Sequence, residues 1–165
     1  DLQRIISMAA NLPVQFHGDC VLLEGMDVSD AIRTEEAGVM ASRLAVVPEV
    51  RAGLLQRQRD FRQAPGLVAD GRDMGSVVFP DSFLKVFLTA SAQVRAERRV
   101  SQIEGRGQKA DFQAIYSDLM ARDKRDSERA VAPLRPCEDA FVLDCSNMPI
   151  DQVVSTILNW AQERI

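Results

Sequence analysis

Apolar residues three and four positions apart predict amphipathic helices in several stretches of the chain. Four of these stretches are residues 2–10, 35–46, 92–107 and 150–165. The other two are a segment that begins at Pro48, with Val50, Leu54 and Phe61 as its apolar residues, and a segment with the apolar residues Phe112, Ile115, Tyr116 and Leu119. Shorter apolar runs between turn residues predict strands at 66–69, 84–88 and 140–143. Strands that alternate with helices predict an α/β protein with a parallel sheet.

A small antiparallel sheet is predicted ahead of the parallel sheet, within residues 13–32. Its short apolar segments are separated by the turn pairs Gly18-Asp19 and Glu24-Gly25, which suit tight hairpins. Two later helices have capping residues, because Ser91 and Asp111 can accept hydrogen bonds from the free amides at a helix start.

The composition predicts a globular protein whose partners are small molecules rather than nucleic acid or a membrane. A chain of 165 residues is long enough to bury a core, and its formal net charge of -4 argues against a general nucleic-acid-binding surface. No apolar run approaches the ~18 residues needed to span a bilayer, and the N-terminus lacks the profile of a signal peptide. Seventeen of the 20 basic residues are arginines, which reflects either codon preference or repeated recognition of phosphate by planar guanidinium groups.

The cysteines predict a reducing compartment. Cys20, Cys137 and Cys145 are odd in number, widely separated and form no CxxC pair, so they indicate neither a disulfide framework nor a zinc site. We therefore predict a cytoplasmic protein.

Residues 66–80, GLVADGRDMGSVVFP, place charged residues directly after a predicted strand. Ligands of open α/β sheets bind at the carboxyl ends of strands, which is where Asp70, Arg72 and Asp73 fall. The carboxylates suit a metal ion or its waters, a hydroxyl or an exocyclic amine, and the arginine suits an oxyanion. The alternative is a solvated, ion-paired turn, which the apolar residues on both sides disfavour.

Residues 121–134, ARDKRDSERAVAPL, hold a second charged group. Arg122, Asp126 and Arg129 are spaced four and three positions apart and therefore share one face if the helix continues through them. Two guanidinium groups beside one carboxylate can bind phosphate and hold sugar hydroxyls together. The alternative is an ordinary ion-pair face on a solvated helix.

The charged helix at 92–107 holds the segment RAERR, with Arg106 and Lys109 after it. A mobile basic hairpin of this kind suits a lid over an anionic substrate, and the alternative is an exposed charged helix. Arg51 faces the positive end of its helix dipole, so another group should hold it, and a ligand carbonyl would do so. We interpret the single histidine, His17, as a structural or surface residue.

Four segments taken together resemble the bacterial cytidylate kinases, a family of nucleoside monophosphate kinases. The segments are EGMDVSDAIRTEE, GLVADGRDMGSVVFP, RDKRDSERAVAPL and VLDCS, and their order and spacing make the resemblance specific over essentially the whole chain. It implies a P-loop NTPase-like parallel sheet flanked by helices. It also implies transfer of the γ-phosphoryl group of ATP to CMP or dCMP with Mg²⁺, giving CDP or dCDP.

The resemblance further implies roles for individual residues. The residues that would contact the acceptor are Ser42, Arg51 and Asp73 at the cytosine ring, Arg72 and Arg129 at the α-phosphate, and Arg122 and Asp126 at the sugar hydroxyls. Asp70 would lie near the metal ion, with water between them or in direct contact, and near the transferring phosphate. Arg98 and Arg99 would stabilise negative charge on the transferring group.

The family pattern also divides the chain. Residues 1–64 would form the CMP-binding region with its antiparallel insert, and residues 65–165 the α/β core with a helical lid at about 95–112. The partners implied are CMP or dCMP and ATP, and the expected state is a monomer.

No GxxxxGK[ST] motif occurs in the 165 residues, so no ATP-binding residue is assigned. The family carries that motif, with the first core strand, ahead of the point at which this sequence begins. Two hypotheses follow: a partial sequence of a complete cytidylate kinase, or a truncated homologue acting as an inactive nucleotide-binding or interaction module. A kinase for another small acceptor on the same core is the third. The chain by itself is expected not to turn over.

Overall fold

A computed structural model describes residues 1–128, 130 and 133–164, and its contacts divide the chain into two units, Asp1–Asp70 and Gly71–Ile165. The first unit combines helices with an antiparallel sheet, and the second combines helices with parallel strands. The α/β class predicted from the pattern is therefore confirmed. No helix in the described part of the chain has the length and apolarity needed to cross a bilayer.

The first unit contains the small sheet that the hairpin signals predict. Its elements in order are α1 (Leu2–Ala10), β1 (Val14–His17), β2 (Cys20–Leu23), β3 (Met26–Asp27), a 3-10 turn (Ala31–Arg33), α2 (Glu35–Leu44) and α3 (Pro48–Arg59). The strands pair antiparallel in the order β1-β2-β3. Gly18, Glu24 and Gly25 all have positive φ, which the tight turns between these strands require.

The junction between α2 and α3 follows from Pro48. The residue before a proline is pushed to extended backbone, and Val47 has φ -88° and ψ 110°. Helix α2 therefore ends at Leu44, two residues before the predicted end at 46, and α3 begins with Pro48 at its first position as predicted.

Arg57 ties α3 to the start of β1. Its guanidinium donates to the carbonyl oxygens of Leu12 at 3.0 Å and Val14 at 2.8 Å, and lies 4.3 Å from the centre of the Phe61 ring. Because these contacts join segments far apart in sequence, they hold the sheet against the helix that carries Arg51.

The second unit contains the parallel strands. Its elements are a π-helical turn (Met74–Val78), β4 (Val86–Thr89), α4 (Ala92–Glu104), α5 (Phe112–Glu128), β5 (Phe141–Asp144) and α6 (Ile150–Gln162). Val86 lies opposite Phe141 and Thr89 opposite Asp144, so both strands end at the same edge. The predicted caps are confirmed, because Ser91 accepts from the Val94 amide and Asp111 from the Ala114 amide.

The described hydrophobic residues that are buried in this unit belong to the π-helical turn, α4, α5 and β5, or directly follow the turn or a strand. They are Val78, Phe79, Ala90, Ala96, Ile115, Leu143 and Cys145. Helix α6 is attached to β5 by an aromatic stack, with the rings of Phe141 and Trp160 4.5 Å apart, and Arg164 lies 4.7 Å from the centre of the Phe141 ring.

The predicted strand at 66–69 is wrong. These residues belong to the described part of the chain and form no strand there, and the side chain of Val68 is fully exposed. An apolar run predicts burial, but a strand also needs a neighbouring strand to pair its backbone amides and carbonyls. The local sequence carries no information about that neighbour.

Candidate functional site

Three charged side chains of the second unit converge near the end of α5. Asp126 is only 3% exposed, and its Oδ2 is paired with the Nε of Arg72. The Nε of Arg122, one helical turn earlier, lies 3.9 Å from the same oxygen. The shared face predicted for Arg122 and Asp126 is therefore confirmed, whereas Arg129 lies outside the described residues.

The cluster combines charge with burial. A carboxylate removed from water needs a cation, and two guanidinium groups here supply it. Both arginine side chains stay about one third exposed, 35% for Arg72 and 31% for Arg122. Chemically, the exposed parts of the two guanidinium groups can donate to a phosphate, while the buried carboxylate of Asp126 holds them in place.

The π-helical turn begins directly after Arg72 and Asp73. The carbonyl of Asp73 accepts from the amides of Val77 and Val78 and so opens the π-helical turn. A Cβ added to Gly71 would lie 3.0 Å from the Cγ of Met74, so a substitution there would require the Met74 side chain to move. Asp73 itself is half-buried.

The first unit holds Ser42, Arg51 and Asp70. Ser42 is buried on α2, at 8% exposure, and Asp70 is exposed. Arg51 donates from Nη1 to the carbonyl oxygen of Ala45 at 3.2 Å. The group that the helix dipole argument requires beside Arg51 is thus present within the protein, as a backbone carbonyl.

The two arginines assigned to the transferring group lie on α4. Arg98 donates from Nη2 to the carbonyl oxygen of Cys145 at 2.6 Å and lies 3.4 Å from its sulfur, so it is attached to the loop after β5. Arg99 is half-buried on the same helix.

A hydrogen-bond network joins the carboxyl ends of the two parallel strands. Asp144 accepts from the amide and hydroxyl of Ser146, and this hydroxyl oxygen in turn accepts from the amide of Ser91. The hydrogen bond from the Ser146 side chain, with that from its amide, lowers the pKa of Asp144 below its usual range. In the sequence only the segment VLDCS pointed to this loop, without a role.

Sequence reasoning missed a second arginine–carboxylate pair, Arg95 with Asp123. Nη1 and Nη2 of Arg95 donate to the two carboxylate oxygens at 3.0 and 2.6 Å. The pair lines a cleft of about 540 Å³ with Thr89, Ala90 and Met120. Asp123 stands three residues before Asp126 in α5, but no local pattern reveals that its partner is on α4.

The donor set for a metal ion is small. Across the described ranges, no three His, Cys, Asp or Glu side chains form a metal-binding group. Magnesium is commonly held by one or two carboxylates, with waters and substrate phosphates completing its shell. Asp70 has an exposed carboxylate, as this mode of binding requires.

The parallel strands and the arginine–carboxylate clusters define an α/β protein suited to phosphate esters, because ligands bind at the carboxyl ends of such strands and arginine matches the geometry of phosphate. Similarity to known proteins identifies the family within this class. A family model described as cytidylate kinase matches residues 1–163. The chain belongs to the cytidylate kinase family, and the resemblance seen in its motifs is confirmed.

Relatives from three bacteria are similar along nearly the whole chain. Cytidylate kinase of Chromobacterium violaceum is 56% identical over 156 residues, covering 94% of this chain and 70% of the relative. Cytidylate kinase of Pseudomonas paraeruginosa is 53% identical, covering 95% and 71%, and that of Aeromonas hydrophila is 52% identical, covering 98% and 72%. The chain thus spans about 70% of the length of these relatives.

Proposed function

We propose that the protein transfers the γ-phosphoryl group of ATP to CMP or dCMP, with Mg²⁺, to give CDP or dCDP. The observation that carries the proposal is the convergence of Arg72 and Arg122 on the buried carboxylate of Asp126. Membership of the cytidylate kinase family supports nucleotide substrates and ATP as the phosphate donor.

The acceptor phosphate and sugar are assigned to the second unit. Arg72 and Arg129 would bind the α-phosphate, and Arg122 and Asp126 the sugar hydroxyls. Asp126 orients Arg72 before any ligand arrives, because the pair is partly removed from water. An oriented arginine loses less side-chain entropy on binding phosphate than a solvated one, which favours affinity.

The cytosine ring is assigned to Ser42, Arg51 and Asp73. A carboxylate accepts from the exocyclic amine of cytosine, and a guanidinium donates to its carbonyl oxygen. Arg51 already donates to one carbonyl, that of Ala45, which keeps its side chain in one orientation.

The transfer step is assigned to Asp70, Arg98 and Arg99. Magnesium, when bound, supplies positive charge beside the phosphates, and the carboxylate of Asp70 would hold it directly or through water. Arg98 would exchange its contact with the Cys145 carbonyl for phosphoryl oxygens, and Arg99 would add a second cation. Phosphoryl transfer needs mainly such alignment and charge neutralisation.

The finer architecture belongs to the same proposal. Residues 65–165 would form a P-loop NTPase-like core with a lid at about 95–112, and residues 1–64 the CMP-binding region. A monomer is expected, which sedimentation of the chain at increasing concentration would test. A cytoplasmic location is favoured by the free thiols of Cys20, Cys137 and Cys145.

The first experiment measures CMP binding to the 165-residue chain by titration calorimetry. We expect Arg72→Ala and Arg122→Ala each to weaken CMP binding by about 10- to 100-fold, because each removes a charge-assisted contact. The control is Arg125→Ala, which removes an exposed arginine from the same helix. Absence of CMP binding by the unmodified chain, or equal loss in the control, would overturn the proposal.

A second experiment tests which base is recognised. Asp73→Ala and Arg51→Ala should weaken CMP more than AMP or GMP, because the removed groups match cytosine. Equal effects on all monophosphates would refute this assignment and favour a kinase for another small acceptor. If a chain extended to the full length of the relatives binds CMP but forms no CDP, the binding-module hypothesis is favoured.

A further inference from the structure

Arg95, the first residue of the segment assigned to the lid, makes three hydrogen bonds to two residues of the second unit. Besides its two bonds to Asp123, it donates from Nε to the carbonyl oxygen of Ala90 at 3.0 Å, just after β4. The side chains of Arg95 and Asp123 are 34% and 28% exposed. A bidentate, partly buried pair of this kind is stronger and better oriented than a solvated ion pair.

Asp123 shares α5 with the residues assigned to the acceptor. It directly follows Arg122 and precedes Asp126 by three residues, so the two carboxylates point about 60° apart around the helix. Asp126 is paired with Arg72, and Asp123 with Arg95. The helix is thereby attached at two adjacent positions, to two different segments.

Two attachments in different directions restrain a helix more than one. The pair at Asp123 adds to the ion pair at Asp126 and to the packing of α5 in opposing rotation and sliding of the helix. The Ala90 carbonyl extends the restraint to the end of β4. The resulting position of α5 fixes where the side chains of Arg122 and Asp126 lie.

We propose that Arg95 is a positioning residue of the acceptor site, acting through Asp123 on Arg122 and Asp126. This inference rests on the proposed function, because it concerns the same site. Arg95 itself does not contact the acceptor: its guanidinium donates to Ala90 and Asp123 instead. A displacement of about 1 Å at a group that contacts substrate can cost up to about 100-fold.

The test compares CMP and dCMP binding to the 165-residue chain and its variants. Arg95→Gln and Asp123→Asn should each weaken CMP by about 10-fold. The double variant should be no weaker than either single one, because the pair acts as a unit. The loss for dCMP should be smaller, since dCMP lacks the 2′-hydroxyl and depends less on Arg122 and Asp126.

The matched control is the pair of Lys85 and Asp139, at the other end of the same strands. Their atoms Nζ and Oδ2 are 2.8 Å apart. Asp139→Asn also breaks an ion pair in this unit, and CMP binding should stay within about 2-fold of the unmodified chain, since this pair lies at the amino ends of the strands and Arg95 at the carboxyl end of β4. Urea unfolding of each variant measures the loss of stability separately from the loss of affinity.

The outcomes separate the two proposals. If the unmodified chain binds no CMP, the proposed function fails, and the positioning role fails with it. If that chain binds CMP but Arg95→Gln changes CMP and dCMP equally, or no more than Asp139→Asn does, only the positioning role is overturned. If Arg95→Gln does not fold, Arg95→Lys keeps the charge but loses the bidentate geometry and should show the same preference shift at smaller size.

Discussion

The guanidinium of Arg72 is paired with the carboxylate of Asp126, which is almost completely buried near the end of α5. Arg122 approaches the same oxygen to 3.9 Å. Burial of a carboxylate costs several kcal/mol unless a cation accompanies it, so the position of Asp126 depends on its arginines. The pair links the segment after Asp70 to α5 before any ligand is present.

Asp126→Asn should destabilise the chain by about 2 to 3 kcal/mol. The substitution keeps the size of the side chain but leaves two arginines near one another without a counter-charge. The expected loss is below that of a fully buried pair because both arginines are about one third exposed. Urea unfolding followed by circular dichroism measures it. The control Asp118→Asn removes an exposed carboxylate from the same helix and should change stability by less than about 0.5 kcal/mol. Similar losses for both variants would contradict the stabilising role of Asp126.

Ser146→Ala should raise the pKa of Asp144 towards its ordinary value of 3.8, because the Ser146 hydroxyl is the largest cause of the lowered pKa. A lowered folded-state pKa contributes stability that is present above 3.8 and is lost as the pH falls through the folded value. Carbon-13 titration of the carboxyl groups measures the shift directly.

The same variant should also change the acid sensitivity of the fold. The unmodified chain should lose more stability between about pH 6 and about pH 2 than Ser146→Ala does, because only the former loses the full Asp144 contribution. Ser155→Ala, which removes a hydroxyl bonded within α6, is the control and should leave the pKa of Asp144 unchanged. An unchanged Asp144 pKa in Ser146→Ala would show that the hydrogen bond from Ser146 does not cause the lowered pKa.

Gly53→Ala should destabilise the first unit by about 1 kcal/mol, although alanine is the better helix former. An added Cβ would lie 3.2 Å from the Ile6 carbonyl oxygen and 3.5 Å from the Ala10 amide nitrogen, both backbone atoms of α1. Backbone atoms within a helix cannot yield without moving the helix. Thermal unfolding measures the effect, with Ala52→Gly at the exposed neighbouring position as the control for helix propensity. A stabilised Gly53→Ala variant would mean that α1 and α3 separate without cost.

Ala96→Val should cost about 1 to 3 kcal/mol, because Ala96 is completely buried on α4 and two extra methyl groups have no space. Ala114→Val is the control at an exposed position of α5 and carries only the helix-propensity cost of about 0.5 kcal/mol. Denaturation by urea, with Trp160 fluorescence as the signal, compares the two. Equal costs would show that the packing at Ala96 is loose.

Short-range signals predicted much of the fold. Pro48 as a first helical residue, Ser91 and Asp111 as caps, and Gly18 with Glu24-Gly25 as turns are all confirmed. Each of these features depends on one residue and its immediate neighbours, so the local sequence contains the necessary information. The predicted strand at 66–69 failed because strand formation also depends on a partner elsewhere in the chain.

The candidate site likewise combines one contact that the local sequence predicted with one that it did not predict. The four-residue spacing of Arg122 and Asp126 predicted a shared helical face, and that face is confirmed. The pairing of Asp126 with Arg72 joins separate segments, and nothing in the spacing predicts it.

The sequence by itself determined the family, the order of helices and strands outside residues 66–80, and the residue types available for phosphate chemistry, because motifs and hydrophobic periodicity are local properties. Only the tertiary structure decided which charges meet. It buried Asp126 against Arg72, attached Arg98 to the Cys145 carbonyl and paired Arg95 with Asp123. Each of these contacts joins residues far apart in the chain, so its geometry depends on how the intervening elements pack and on which carboxylates lose their water.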